Sequence, residues 1–184
     1  MDAGKKLLIL ALSLFCLATA CKKDSNEGLP AVELKPGQAH QGGIIFLLEA
    51  SGEHGLIAAA ADQSTTAPWW NGSFLHIGAT STTNGSANTT LIINAQGPTA
   101  GYAAKICRDY RGGQFSDWFL PSKDQLHALY LQKTLVGGFS NDIYWSSTEL
   151  EAGSAWVQSF IDGHQHTDNT SDGAGVHTRA IRAF

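Results

Sequence analysis

The first 20 residues constrain the predicted fold most, because their pattern indicates a segment that is not part of the folded domain. Lys5 and Lys6 precede an apolar run over residues 7–20 that ends on small side chains. This order of charge, apolar run and small residues predicts a secretory signal peptide that is removed on export. The run is also shorter than the roughly 20 residues that a helix needs to cross a bilayer. We therefore leave residues 1–20 out of the predicted fold.

Cys21 directly follows this signal, and residues 17–21, Leu-Ala-Thr-Ala-Cys, resemble a bacterial lipobox. The resemblance implies that lipid is attached to the Cys21 thiol and that the mature chain begins there. Burial of acyl chains contributes about 0.8 kcal/mol per methylene, so several chains hold a protein on a membrane. We predict a lipid anchor in the outer membrane of the cell envelope, with an ordinary secreted protein as the alternative. Which face of that membrane it occupies stays open, although the charged residues 22–27 resemble a surface-export signal.

Loss of the signal and lipidation of Cys21 leave Cys107 as the one remaining cysteine. The domain is therefore expected to fold without an internal disulfide, held by its core alone. Cys107 lies among apolar residues at helical spacing, which predicts a small buried hydrophobic residue and not a nucleophile.

Composition excludes several classes of protein. Charged residues make up 15% of the chain, below the usual quarter, and there are 20 glycines, which is typical of a loop-rich globular domain. The formal charge of the full sequence is −4. Removal of the predicted signal takes away two lysines and one aspartate, so the charge of the mature chain is −5. An acidic domain of this kind lacks the basic surface that nucleic acid requires, so no nucleic-acid partner is predicted.

Local patterns predict a lipidated cysteine and flexible tether over residues 21–36 and one α+β domain over residues 37–184. Short β-branched runs predict a hairpin with strands at residues 43–48 and 56–60. Three further strands are predicted near the end of the chain, at residues 143–149, 155–161 and 176–184. Helices are predicted over residues 100–111, capped by Thr99, and after Ser122, where Gln125 completes a capping box. The polar stretches 62–97 and 162–174 are predicted to be long loops.

Several short motifs from residue 101 onward occur in a recognisable order: GYAAKIC at 101–107, DWFLPSKDQL at 117–126, YWSSTE at 144–149, AW at 155–156 with FIDG at 160–163, and RAIRAF at 179–184. This order resembles the Lcl C-terminal domain family, named for the domain at the end of a Legionella collagen-like adhesin. The resemblance covers roughly residues 40–184. It implies a C-type-lectin-like fold, with two helices, a mainly antiparallel twisted sheet and long loops. It also implies a role in adhesion or surface interaction, and the adhesin itself is associated with sulfated glycans.

The tryptophans divide into two groups by their surroundings. Trp145 and Trp156 lie within strand patterns and are predicted to be core residues, and Trp118 is predicted to anchor the turn into the second helix. Trp69, Trp70 and Asn71 lie instead in a polar stretch without periodicity. An exposed indole there would stack on a sugar ring or pack against a protein partner. The alternative is a loop that folds back and covers both rings.

His164 and His166 fall on one side of the chain if this segment is extended, and Asp162 lies close by. Two imidazoles and a carboxylate could begin a metal site or contact a ligand, with a solvated polar loop as the alternative. The oxygen-rich residues 168–173 lack the glutamate that completes an EF-hand. The sequence also lacks the Glu-Pro-Asn and Trp-Asn-Asp triplets of calcium lectins. We therefore predict no cofactor and leave calcium open.

The sequence contains no nucleophile elbow, phosphate-binding glycine loop or dinucleotide fingerprint. We predict a non-catalytic binding domain that recognises a glycan or a surface protein through residues 62–97 and 162–174. The alternative is a structural or assembly component of the envelope, in which the same loops make protein contacts within a homo-oligomer.

The lipid anchor is tested by substitution of Cys21. Cys21→Ser removes the thiol that carries the acyl chains, so incorporation of radiolabelled palmitate should be abolished, whereas Cys107→Ser should retain full labelling. Undiminished labelling of Cys21→Ser would contradict a lipid anchor at this residue.

Overall fold

The computed structural model describes residues 33–99, 101–171 and 173–184. Within these residues the chain has a mixed α+β fold, with four α-helices and two four-stranded sheets. The helices are α1 (Gly85–Gln96), α2 (Ala103–Asp109), α3 (Lys123–Leu131) and α4 (Lys133–Val136). The strands are β1 (Ala39–His40), β2 (Gly43–Leu48), β3 (Gly55–Ala58), β4 (Ile143–Glu151), β5 (Ser154–Ser159), β6 (Gln165–Asn169), β7 (Val176–His177) and β8 (Ile181–Ala183). The predicted α+β class is confirmed, and the prediction of only two helices is wrong.

The first sheet has the order β1-β2-β3-β8, and all its neighbouring strands are antiparallel. Strands β2 and β3 form the predicted hairpin, with Leu48 paired to Gly55 at its closed end. Strand β8 pairs with β3 through Ile57 and Arg182. The first and last strands of the described domain therefore belong to one sheet.

The second sheet has the order β6-β5-β4-β7, and only the β4–β7 pair is parallel. Strands β4 and β5 lie where the sequence predicted them, at residues 143–149 and 155–161. Strand β6 lies within residues 162–174, which were predicted to be a loop. Its side chains are all polar, so the apolar alternation that identifies a strand is missing. As an edge strand, β6 pairs only with β5 and tolerates such a sequence.

The segment predicted as one strand over residues 176–184 is divided between the two sheets. β7 pairs with β4 and β8 pairs with β3, so the chain crosses from one sheet to the other at residues 178–180. Arg179 lies within this crossing, and its side chain is completely buried. Its Nε donates to Asp62 Oδ1 at 2.6 Å and its Nη1 donates to Ala59 O at 2.8 Å. A buried guanidinium needs such partners, and they lie where the strand pairing is interrupted.

Asp62 is the hydrogen-bond acceptor that joins the groups around this crossing. Besides the Arg179 pair, its Oδ2 accepts hydrogen bonds from His177 Nδ1 at 2.7 Å and from the Tyr144 hydroxyl at 2.9 Å. The guanidinium carbon of Arg179 also lies 4.0 Å from the centre of the Phe139 ring. Burial raises the pKa of Tyr144, so its hydroxyl keeps its proton and remains a donor. The crossing is thus stabilised by a buried polar network whose members satisfy one another.

Helix α1 lies inside the stretch 62–97 that was predicted to be a loop. It is rich in threonine and asparagine, which have low helix propensity, so its pattern did not indicate a helix. Tertiary contacts stabilise it instead. Asn84 Oδ1 accepts the Ala87 N–H at 3.0 Å and caps the first turn, and Thr89 Oγ1 accepts the Leu120 N–H at 3.0 Å.

Helices α2 and α3 correspond to the two predicted helices. α2 is shorter than predicted, because it begins after Tyr102 instead of after Thr99. α3 begins after Ser122, as predicted. The side-chain oxygen of Gln125 accepts the backbone N–H of Ser122 and that of Gly85, both at 3.0 Å. One amide oxygen therefore joins the amino-terminal ends of α3 and α1.

The core consists of two apolar clusters, and strand β4 contributes to both. Trp145 belongs to the cluster that includes residues of α1 and α2, and Tyr144 belongs to the cluster that includes residues of α3. Successive side chains of a strand point to opposite faces, which explains this division. The core prediction for Trp145 is confirmed, and Trp118, predicted to anchor the turn before α3, is also completely buried. Trp156 is only partly buried, with the Lys123 Nζ 3.5 Å from its ring centre, so its prediction as a core residue is wrong.

Cys107 lies in the first cluster as a free, completely buried cysteine. Burial raises the pKa of its thiol, so the reactive thiolate is strongly disfavoured. The prediction that Cys107 acts as a small hydrophobic residue is confirmed.

The predicted signal peptide, Cys21 and most of the predicted tether fall outside the described residues. In the part of the chain that is described, no helix is both long enough and apolar enough to span a membrane.

The buried pair of Arg179 and Asp62 should contribute strongly to stability. Arg179→Met leaves the Asp62 carboxylate buried without its cation, so the free energy of unfolding should fall by roughly 3–5 kcal/mol, measured by urea denaturation. Lys35→Met is the matched control, because the Lys35–Glu33 pair is exposed and its loss should change stability by less than about 1 kcal/mol. Equal small effects of both substitutions would contradict a structural role for the buried pair.

Candidate functional site

The structure divides the predicted ligand-binding residues between two places. One group lies beside Thr170, just after β6, and consists of Trp69, Trp70 and Asn71. The other lies around the start of β6 and consists of Asp162, His164 and His166. Strand β6 separates the groups by roughly 15 Å, at about 3.3 Å per residue. They therefore do not form one site.

Trp69 is a core residue. It is 2% exposed, its indole Nε1 donates to Ser146 O at 2.8 Å, and its backbone N–H donates to Thr170 O at 3.0 Å. Its prediction as a ligand contact is corrected, because a ring enclosed on both faces cannot stack on a ligand. Its role is to attach residues 68–70 to the core.

Trp70 borders an open cleft of about 480 Å³. The cleft is lined by Pro68, Trp70, Asn71, Gly72, Thr99, Gly101 and Ser171. Pockets for small ligands usually have volumes of roughly 300–1,000 Å³ and combine apolar surface with a few polar groups. This cleft offers one aromatic ring, one amide and two hydroxyls, and none of its described lining residues is charged.

Backbone hydrogen bonds position the walls of the cleft. Pro68 O accepts the Ala103 N–H at 2.9 Å, so the loop before Trp69 rests on the start of α2. The Tyr102 hydroxyl donates to Gly97 O at 2.7 Å and thereby fixes the turn between α1 and α2. Since Tyr102 is completely buried, this turn is anchored in the core.

Asn71 is held at the edge of the cleft by Gln96, the last residue of α1. The Asn71 backbone N–H donates to Gln96 Oε1 at 2.6 Å, and its side-chain Nδ2 donates to Gln96 O. Gln96 is buried, so its amide is a fixed acceptor. The arrangement leaves Asn71 Oδ1 without a donor among the described residues.

The Trp70 ring is supported by Phe74, with ring centres 4.0 Å apart and planes inclined at 43°. Phe74 in turn lies over Gly153 in the turn between β4 and β5, where a Cβ atom would come within 2.8 Å of the Phe74 ring. Gly153 also has a φ of +84°, which favours glycine. The turn thus leaves room for Phe74 and, through it, limits the movement of Trp70.

Glu149 fixes the other end of the loop that carries Phe74. Its side chain is 1% exposed and accepts hydrogen bonds from the backbone N–H groups of Ile77, at 2.9 Å, and Gly78, at 2.7 Å. His76 Nδ1 lies 3.6 Å from the same carboxylate. These charge-assisted hydrogen bonds attach the loop to β4, in addition to the packing of Ile77 against the first core cluster.

The second group is a hairpin turn with two aligned imidazoles. The rings of His164 and His166 are 5.8 Å apart and inclined at 14°. Asp162 Oδ1 accepts the His164 N–H at 3.1 Å, and hydrogen bonds with Ser159 and with that N–H lower the pKa of Asp162. Across the described residues, no three His, Cys, Asp or Glu side chains are grouped to hold a metal ion. Asp162 therefore shapes the turn, and these residues do not extend the cleft beside Trp70.

Most of the cleft was not predicted residue by residue. Thr99 was predicted only as the cap of a helix, and Ser171 lies in a polar stretch without a pattern that distinguishes it from other loop residues. They meet Trp70 only because Thr170 pairs with Trp69 and because α1 returns the chain to this end of the domain. The chemistry that the cleft offers is aromatic contact and hydrogen bonding by neutral groups.

A scan against protein-family models found no match for this chain, and no curated protein matched it either. The resemblance to the Lcl C-terminal domain family therefore stays a prediction from the sequence motifs.

The two neighbouring tryptophans should differ sharply in their effects. Trp69→Ala removes a fully enclosed ring and its hydrogen bond, so the free energy of unfolding should fall by about 3–5 kcal/mol. Trp70→Ala removes a partly exposed ring and should lower it by about 1 kcal/mol or less. Thermal unfolding followed by circular dichroism compares the two variants directly. A large loss in Trp70→Ala would make Trp70 a core residue and would exclude a role mainly in ligand contact.

Proposed function

We propose that this chain is a lipid-anchored protein of the cell envelope whose domain binds glycan or protein ligands without catalysis. The cleft beside Trp70 supports this most, because it joins a partly exposed aromatic ring to hydrogen-bonding groups on well-anchored loops. A ligand in such a cleft gains contact area on the ring and orientation from the polar groups. Adhesion or surface interaction is the role that fits this arrangement.

The proposed attachment uses lipid on Cys21, and residues 21–36 act as the tether. A lipid anchor would keep the domain at a membrane surface, where many copies present their clefts together. Multiple weak contacts then add to a stable attachment. This is how a small cleft could serve adhesion.

We also propose that the fold is C-type-lectin-like, as the resemblance to the Lcl C-terminal domain family implies. The mixed α+β architecture, the mainly antiparallel pairing and the position of β8 in the sheet of β1 to β3 support this proposal. Helices α1 and α4 would be additions to the two helices of that fold.

A second candidate function is assembly of the envelope through contacts between copies of this chain. Three large apolar side chains support it, because Phe74, Leu131 and Ile161 are each at least 60% exposed. Exposed apolar side chains of this size are available for contacts with another protein surface.

The two candidates are separated by measuring binding and mass on the same preparation. The full-length protein in detergent should bind saturably to an array of glycans and extracellular-matrix proteins, and light scattering should give the mass of one chain. Binding should exceed that of Thr99→Trp, in which a large side chain fills the cleft from an exposed position. Absence of binding to every arrayed molecule, together with a stable homo-oligomer, would overturn the binding function in favour of assembly.

A further inference from the structure

The charge around the cleft limits what it can bind, if the proposed binding function holds. None of the described residues that line the cleft carries a charge. The described residues of the adjoining chain segments, 68–72, 98–99, 101 and 170–171, are also uncharged. The described lining of the cleft therefore offers no cation to neutralise a sulfate or a carboxylate.

The cleft has one apolar wall of defined orientation. Trp70 packs against the first core cluster and against Phe74, and Phe74 rests on the Gly153 turn, so the part of the indole that borders the cleft has limited movement. The C–H face of a sugar ring is a flat apolar surface that matches an indole. A rigid aromatic ring makes this contact with little loss of conformational entropy.

The remaining lining consists of neutral hydrogen-bonding groups. Asn71 contributes the unoccupied acceptor Oδ1, and Thr99 and Ser171 contribute hydroxyls that both donate and accept. Sugar hydroxyls have the donor and acceptor character that these groups require.

We propose that the cleft is a binding site for neutral carbohydrate, with one sugar ring on Trp70 and its hydroxyls on Asn71, Thr99 and Ser171. This proposal rests on the proposed binding function and names the ligand class for the same cleft. It differs from the sulfated glycans that the family resemblance implies. An anionic sugar would lose hydration on entry without gaining a cationic partner, whereas a neutral sugar exchanges hydroxyl–water bonds for hydroxyl–protein bonds.

The test compares neutral and sulfated sugars on the full-length protein in detergent. The probes are gluco-, galacto-, manno- and xylo-oligosaccharides in one arm and heparin and chondroitin sulfate oligosaccharides in the other, measured by glycan array and then by calorimetry. We expect saturable binding in the neutral arm and none in the sulfated arm. Trp70→Ala should weaken neutral binding at least tenfold.

Trp156→Ala is the matched control, because it removes another partly exposed tryptophan that lies on β5 and does not line the cleft. It should leave the affinity for neutral sugar within twofold of the unmodified protein. If Trp70→Ala fails to fold, as judged by near-ultraviolet circular dichroism, Thr99→Trp replaces it as the blocking variant, with the same tenfold loss expected.

The outcomes distinguish this proposal from the general binding function. Binding restricted to sulfated sugars, or neutral binding that survives both Trp70→Ala and Thr99→Trp, overturns the neutral-carbohydrate site while a binding function remains. If no sugar binds but an arrayed protein does, the neutral-carbohydrate site is likewise overturned and the binding function remains. Absence of binding to any arrayed sugar or protein overturns both.

Discussion

The buried ion pair between Arg179 and Asp62 is the interaction on which the arrangement of the two sheets depends. Arg179 lies where the chain passes from β7 to β8, and Asp62 lies just after β3, so the pair joins both sheets at one point. A buried pair is favourable only when its remaining donors and acceptors are satisfied. Ala59 O, His177 and Tyr144 provide those partners. Within the described residues, this network takes the place that a disulfide has in many exported domains.

Strand β4 connects this network to the loops beside the cleft through three hydrogen bonds. The Tyr144 hydroxyl donates to Asp62, the Ser146 carbonyl accepts a hydrogen bond from the Trp69 indole N–H, and the Glu149 carboxylate accepts one from the Gly78 N–H. These contacts follow one another along a single strand. The loops beside the cleft are therefore fixed by a central strand of the second sheet, which pairs with β5 on one side and with β7 on the other. The polar loop at residues 69–78 is thus positioned by hydrogen bonds to buried groups of β4.

The sequence identified the elements whose stability is local, and it missed those whose stability comes from distant contacts. The β2–β3 hairpin and α3 have turn residues and a capping pattern within a few positions, so their prediction from the residues succeeded. Helix α1 and strand β6 have polar sequences, and both depend on contacts with residues far along the chain. The break between β7 and β8 also depends on Asp62, more than a hundred residues away. Periodicity contains no information about such partners.

The candidate site illustrates the same limit at the level of single side chains. The polar segment at residues 69–71 was identified because tryptophans are unusual there, but only the structure distinguishes the buried Trp69 from the partly exposed Trp70. Under the proposed function, this separation makes the cleft suitable for redesign. Because the buried Trp69 attaches the segment to the core, a combinatorial library restricted to residue 70 and the hydroxyl positions 99 and 171 would sample new ligand specificities on a retained backbone.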